Sequence, residues 1–203
     1  MKMGIIAEDD SDVGVVREIT LALLQPRAIG FSRFVGDGCG KSRRKCGAWA
    51  KNLVRQGCPW IVVIHDLDVY NEQQLRSHLT RAIAPAQAKA SVVLIPKREI
   101  EAWLLYDGAA IAAAFSESRH PQVPGNPESV LDPKRHLRDL IWKKYRKEYL
   151  NTLHNPLIAK HIDVALLGRS GSFAPHLAFA RTVRGMLPSE RRNKQAIGVA
   201  KSP

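Results

Sequence analysis

Three short apolar runs rich in β-branched residues, at residues 4–7, 60–64 and 91–95, are separated by segments whose apolar residues recur every three or four positions. A run that is apolar at every position has no face to spare for solvent, so each reads as a strand covered on both sides. Residues 31–35 form a weaker fourth run. Between them, Val13, Val16, Ile19 and Leu23, then residues 48–54, then Leu75, Leu79, Ala82 and Ile83 keep helical spacing. Strand and helix therefore alternate, and right-handed crossovers turn that alternation into a mostly parallel four-stranded α/β sheet with helices on both faces.

Beyond Ile95 the pattern changes. Residues 99–106 and 109–115 read as helical, residues 116–130 form a Pro-rich polar connection, and the remainder reads as helices. Asp132 and Pro133 suit the N-cap and first position of a helix carrying Leu137, Leu140, Ile141 and Tyr145. Another helix is expected to start near Pro156, and Ser172 is a candidate cap for residues 173–186. Three parts follow: an α/β domain (1–115), the connection (116–130), and a basic helical subdomain packed on it (131–203).

Charge separates these parts. Of 203 residues, 31 are Lys or Arg and 19 Asp or Glu, a net charge of +12 that favours a polyanionic partner and argues against an acidic adaptor. Residues 1–120 hold 16 basic and 13 acidic side chains, residues 121–203 hold 15 and 6, so most of the excess lies in the helical part. Cys39, Cys46 and Cys58 are odd in number and lack CxxC spacing, which predicts reduced thiols in a cytoplasmic protein. The N-terminus turns acidic within eight residues, and no apolar run approaches the length of a membrane helix, so neither signal peptide nor membrane partner is expected.

The acids are placed more tellingly than the bases. Glu8, Asp9, Asp10 and Asp12 follow the first strand, Asp66 and Asp68 the third, and Glu99 and Glu101 the fourth. In open α/β sheets the loops beyond the carboxyl ends of the strands line the ligand crevice, so three acidic clusters converge on one edge. Clustered carboxylates repel unless a cation neutralises them. Oxygen-only donors point to Mg²⁺ or Mn²⁺ rather than zinc. Residues i and i+2 of an extended segment point the same way, so Asp66 and Asp68 are expected to face one ion. Glu99 and Glu101, on a helix, lie about 200° apart, and only one should face the site. Asp10 or Ser11 is expected to cap the first helix.

A strand ending in Glu followed by a strand ending in Asp-x-Asp, within about 100 residues, resembles the Toprim fold shared by topoisomerases, bacterial primases and the overcoming-lysogenisation-defect nucleases. Glu8 with Asp12 matches the Glu-x-x-x-Asp spacing of the nuclease branch. The strings IEAWLLYD, DPKRHL and SGSF, at residues 100–107, 132–137 and 170–173, resemble an uncharacterised Toprim-like bacterial family often found near defence genes. The resemblance implies catalytic roles for Glu8, Asp66 and Asp68 and a metal set of Glu8, Asp12, Asp66, Asp68 and Glu101, with Glu101 preferred over Glu99. It also implies a nuclease, with phage defence and a separate ATPase or defence-system protein as its setting and partner. The chain is too short for the gate domains of strand passage or the extra modules of a primase.

Basic residues would then hold the backbone. Lys41, Arg43, Arg44 and Lys45 follow a Gly-rich turn, GDGCGKS, whose glycines are one residue too close for a Walker motif. Lys134, and Arg169 with Ser170 and Ser172, are further phosphate contacts, the last three at a helix N-terminus. Lys143, Lys144, Arg146 and Lys147 read equally as a solvated face. His65 beside Asp66 is peripheral. Two other readings stay open: a phosphorelay receiver domain with Asp66 as phospho-acceptor, and a non-catalytic Toprim-like module that binds nucleic acid or a partner.

Overall fold

The computed structural model describes residues 1–25, 28–36 and 39–187. Four parallel strands, β1 (Lys2–Ala7), β2 (Gly30–Val35), β3 (Trp60–Ile64) and β4 (Ala90–Leu94), form one sheet in the order β2-β1-β3-β4. Ile5 of β1 lies opposite Arg33 of β2 and Val62 of β3, and Val62 lies opposite Val92 of β4. Two of the three apolar runs are the central strands β1 and β3, covered on both faces; the third, β4, is not covered as expected, because like the half-exposed β2 it is an edge strand, buried only at Val93 and Leu94. This is the α/β fold that the alternation predicts.

Side chains leave a strand alternately to its two faces. Ile6, Ile61 and Val63 pack with Cys46, Ala50 and Leu53 of α2 (Cys39–Arg55) and with Leu75, Leu79 and Ile83 of α3 (Glu72–Ile83). Gly4 makes room there: a Cβ on it would come within 2.8 Å of the Leu53 and Ile61 side chains. Met3, Ile5, Ala7, Val62 and Ile64 face the other way. They meet α1 (Asp10–Leu24) and the helices that follow β4: α4 (Glu101–Leu104), α5 (Gly108–Ala114), α6 (Pro133–Tyr145), α7 (Asn151–His161), α8 (Val164–Leu167) and α9 (Ala174–Met186). Leu137, Ile141, Ile158, Phe173 and Val183 join that same cluster, so the basic helices form one wall of the sheet's own core. The last sixteen positions of the expected helical part lie outside the described residues. Among the described residues no helix is long and apolar enough to cross a membrane, and Cys46 and Cys58 are free and buried.

Three helix starts differ from expectation. Helix α2 begins nine residues before the apolar pattern that announces it, because the buried side chains described in its first turns, Ser42 and Cys46, are small. In α1 the cap is Asp9, not Asp10 or Ser11: its side chain accepts from Asp12 N at 3.1 Å, and Asp12 Oδ2 accepts from Asp9 N at 3.3 Å. That reciprocal pair is a capping box built of two aspartates. Helix α7 starts at Asn151 and carries Pro156 inside it. The proline ring lies against Gly14 of α1, where a Cβ would sit 2.4 Å from Pro156 Cγ. Bare backbone facing a flat ring brings α7 close to α1, and Asn155 is carried with it.

Candidate active site

The carboxyl ends of β1 and β3 and the start of α4 open on one edge of the sheet. Glu8 follows β1 directly. Its Oε1 lies 2.8 Å from His65 Nδ1, which is also 2.8 Å from the Asp66 carbonyl oxygen. The Nδ1–H is shared unevenly, aligned with the Asp66 carbonyl and off-axis to Glu8 Oε1, which is buried without an aligned donor. The His65 ring is fully buried and edge-on to Tyr70, at 5.7 Å between centroids, and its Nε2 has no partner. Burial alone would lower the His65 pKa, but the hydrogen bonds to Glu8 and the Asp66 backbone, with the charges of Glu8 and Asp68, outweigh it and raise the value.

Asp66 lies two residues past β3, and its Oδ1 is buried with no hydrogen-bond partner. Burial lifts its pKa well above the usual carboxylate range, and the charges of Asp12, Glu101, Glu8 and Asp68 lift it further. Asp12, 5% exposed in the first turn of α1, is raised for the same reasons: burial first, then Asp9, Glu101 and Glu8. Asp12 and Asp66 thus hold their protons more tightly through burial and through the neighbouring carboxylates of Glu8 and Glu101.

Glu101 is the fourth, 3% exposed at the start of α4. Asn155 of α7, fully buried, donates one N–H to Glu101 Oε1 at 3.0 Å and the other to Ser11 Oγ at 2.8 Å. The Tyr149 hydroxyl lies between Glu101 Oε1, at 3.3 Å, and the Asn155 amide oxygen. Burial raises the Glu101 pKa against the opposing pull of the Asn155 bond and the Lys134 charge. Ser11, Tyr149 and Asn155 are the site residues that sequence reasoning missed. Their signal was an amide on the stripe that α7 buries, Asn155, Ile158 and Ala159.

The remaining candidates fall elsewhere. Asp68 takes a left-handed conformation, φ 45°, and its side chain is exposed, so the shared aim expected of an extended Asp-x-Asp is not kept. Asp10 is drawn to the edge strand by Arg33, at 2.7 Å. Glu99 accepts from the backbone N–H of Lys134 at 2.9 Å and so satisfies the start of α6. Lys134 itself is exposed beside Glu101. Lys41, Arg43 and Arg44 stand on the first turns of α2 rather than in a loop, and Asp37 and Gly38 of the Gly-rich turn lie outside the described residues. Arg169 is exposed, its guanidinium 5.8 Å from the Tyr106 ring centre.

Ser172, expected to touch phosphate or to cap α9, is buried and does not cap the helix. Its hydroxyl accepts from Trp103 Nε1 at 2.8 Å, its N–H donates to Glu128 at 3.0 Å, and α9 has no side-chain cap. Ser170 Oγ also donates to Glu128, at 2.7 Å. The SGSF segment is a joint between the Pro-rich connection, α4 and α9.

Among the described residues, no three His, Cys, Asp or Glu side chains are disposed to hold a metal ion between them. The donor chemistry nevertheless fits a hard divalent cation: all the converging donors are carboxylate oxygens, and Asp66 Oδ1 is buried without a counter-charge. No curated protein and no solved structure matches the chain. A family model described as a domain of unknown function, DUF4276, matches residues 14–176, a span that takes in Asp66, Asp68, Glu101, Lys134, Tyr149 and Asn155. This chain, with its acidic sheet edge braced by a helix from the basic part, belongs to the DUF4276 family.

Proposed function

We propose that this protein is a divalent-cation-dependent phosphodiesterase that hydrolyses nucleic acid, a Toprim-like nuclease in design. The observation that carries the reading is Asp66 Oδ1, buried and unpartnered at the end of β3 among Glu8, Asp12 and Glu101. Four carboxylates brought this close, three of them buried to the point of a raised proton affinity, are costly to keep unless a cation relieves them. Asp66, Glu8 and Asp12 would hold Mg²⁺ or Mn²⁺, with Asp68 and Glu101 at the rim. Such an ion, when bound, polarises a phosphate oxygen and acidifies water.

The chain's own residues supply the rest. Glu8 Oε1, lacking an aligned donor, accepts a proton from the attacking water, and the His65 ring 2.8 Å away keeps its carboxylate in place. Asn155 and Tyr149 hold Glu101 at the rim. Lys134 offers an exposed cation to the phosphate beside Glu101, and the net charge of +12 draws the polyanion in.

Single- and double-stranded DNA and RNA, incubated with Mg²⁺ or Mn²⁺, should be cut in at least one form, and EDTA should stop the cutting. Asp66→Asn should abolish cleavage and Glu8→Gln should reduce it at least a hundredfold. Cleavage that survives both substitutions refutes the assignment. One observation favours a second reading, a binding module without turnover: among the described residues no three donors surround a common point. Tight, salt-sensitive binding with no cleavage under either cation would support it.

A further inference from the structure

Helices α2 and α3 touch where Gly47 meets Ala82, since a Cβ at Gly47 would lie 2.5 Å from the Ala82 carbonyl oxygen. One turn earlier along α2, toward the catalytic edge, a groove of about 560 Å³ opens between the two helices. Arg43 and Arg44 stand on one side, Gln74, His78 and Arg81 on the other, and Tyr70 at the end nearest the acidic site. Tyr70 is tied to both regions. The Arg43 guanidinium lies 5.0 Å from its ring centre, and the His65 ring, whose Nδ1 reaches Glu8, stands edge-on to it.

The lining contains three guanidinium groups, one imidazole and no Asp or Glu. The cations around it point into water: Arg44, His78 and Arg81 are exposed, and Arg81 donates through its Nε to the Ser77 carbonyl. The groove walled by Lys134, Arg135 and Arg138 differs in this respect, because Glu99 and Asp132 share its lining. An uncompensated row of guanidiniums is suited to a row of phosphates, and an aromatic face with an arginine over it is suited to a base.

We propose that the α2–α3 groove binds single-stranded nucleic acid, with phosphates on Arg43, Arg44 and Arg81 and a base against Tyr70, and delivers the strand past His65 to the acidic edge. Resting on the nucleic-acid reading above, it adds the strand form and the route. A duplex presents its bases already stacked on each other and leaves none for Tyr70.

Binding of short labelled oligonucleotides, measured by fluorescence anisotropy in EDTA, tests the groove with no cation-dependent chemistry present. Replacing Arg43 and Arg81 together by Ala should weaken single-strand binding about tenfold or more and lower the salt slope by about two. Replacing Lys51 and Arg55 together by Ala removes the same charge from the far end of α2 and should change affinity less than about twofold. Tyr70→Phe should bind like the parent and Tyr70→Ala should not. Equal losses in the two double variants would overturn the proposal in favour of overall charge. Duplex preferred over single strand, or inorganic phosphate competing as well as an oligonucleotide, would also overturn it. Binding in EDTA does not depend on cleavage, so a nuclease that proves inactive, or active without Asp66, leaves the groove standing or falling on its own variants.

Discussion

Asn155 Nδ2 and Glu101 Oε1 are 3.0 Å apart in a hydrogen bond shut away from solvent, and through it a helix of the basic half holds a carboxylate of the acidic edge. The same amide reaches Ser11 Oγ, so α1, α4 and α7 meet at one side chain. Asn155→Leu leaves Glu101, Ser11 and Tyr149 short of partners in a buried setting and should cost about 2–4 kcal/mol, read from urea unfolding. Asn155→Asp places a second carboxylate against Glu101. Its deficit should be larger at pH ~8 than at pH ~5, because the pair can share a proton only at the lower pH.

Gly14→Ala forces a methyl into the Pro156 ring and should destabilise by about 1–3 kcal/mol. Pro156→Ala in the same chain removes the obstructing ring atoms. Thermal or urea unfolding of the two singles and the double should therefore show the double less destabilised than the sum. Strict additivity would mean that α1 and α7 do not meet at this point.

The acidic edge sets the alkaline side of stability. Asp12, Asp66 and Glu101 keep protons in the folded chain that they release when it unfolds, since their folded pKa values are raised. His65, also raised, binds its proton more tightly folded than unfolded. For all four groups the folded state holds more protons, so stability falls as pH rises, from the ordinary carboxylate range for the acids and from the ordinary imidazole range for His65. Asp66→Asn should stabilise the metal-free protein, by an amount that grows with pH, in melts run from pH ~5 to pH ~8.

His176 acts in the opposite direction. Fully buried between Trp103 and Phe173, with Nε2 3.0 Å from Thr20 Oγ1, it is held neutral and its pKa is pushed down to about 3 by burial. The unfolded chain takes up this proton near pH ~6.5 and the folded chain does not, so stability is lost as pH falls below that value, at up to about 1.4 kcal/mol per pH unit. Substituting Gln at position 176 should flatten this acid limb in urea titrations, whatever its cost at neutral pH.

The sheet was legible because β1 and β3 are apolar at nearly every position, which only a strand covered on both faces requires. Placing Glu8, Asp66 and Glu101 on one edge needed nothing beyond strand direction and chain order. What escaped depended on three-dimensional detail. Asp68 turned outward through a left-handed backbone that an aspartate can adopt but that the Asp-x-Asp spacing does not announce. Asn155 was hidden because Pro156 reads as a helix start, and only the bare backbone of Gly14 lets a proline sit inside α7. Ser172 looked like a cap and is a partner for Trp103, a bond spanning 69 residues that no local pattern encodes. The start of α2 was lost because its buried stripe is made of Ser42 and Cys46, too small to register as a hydrophobic period.

The central claim is that the acidic edge is a cation site centred on Asp66. Calorimetric titration of the protein with Mn²⁺ near pH ~7.5, repeated in buffers of different ionisation enthalpy, tests it without a nucleic-acid substrate. Binding should be detectable, should release protons as the raised carboxylates ionise, and should weaken at least about tenfold in Asp66→Asn. Absence of binding at millimolar Mn²⁺, or binding that is unchanged in Asp66→Asn, contradicts the account.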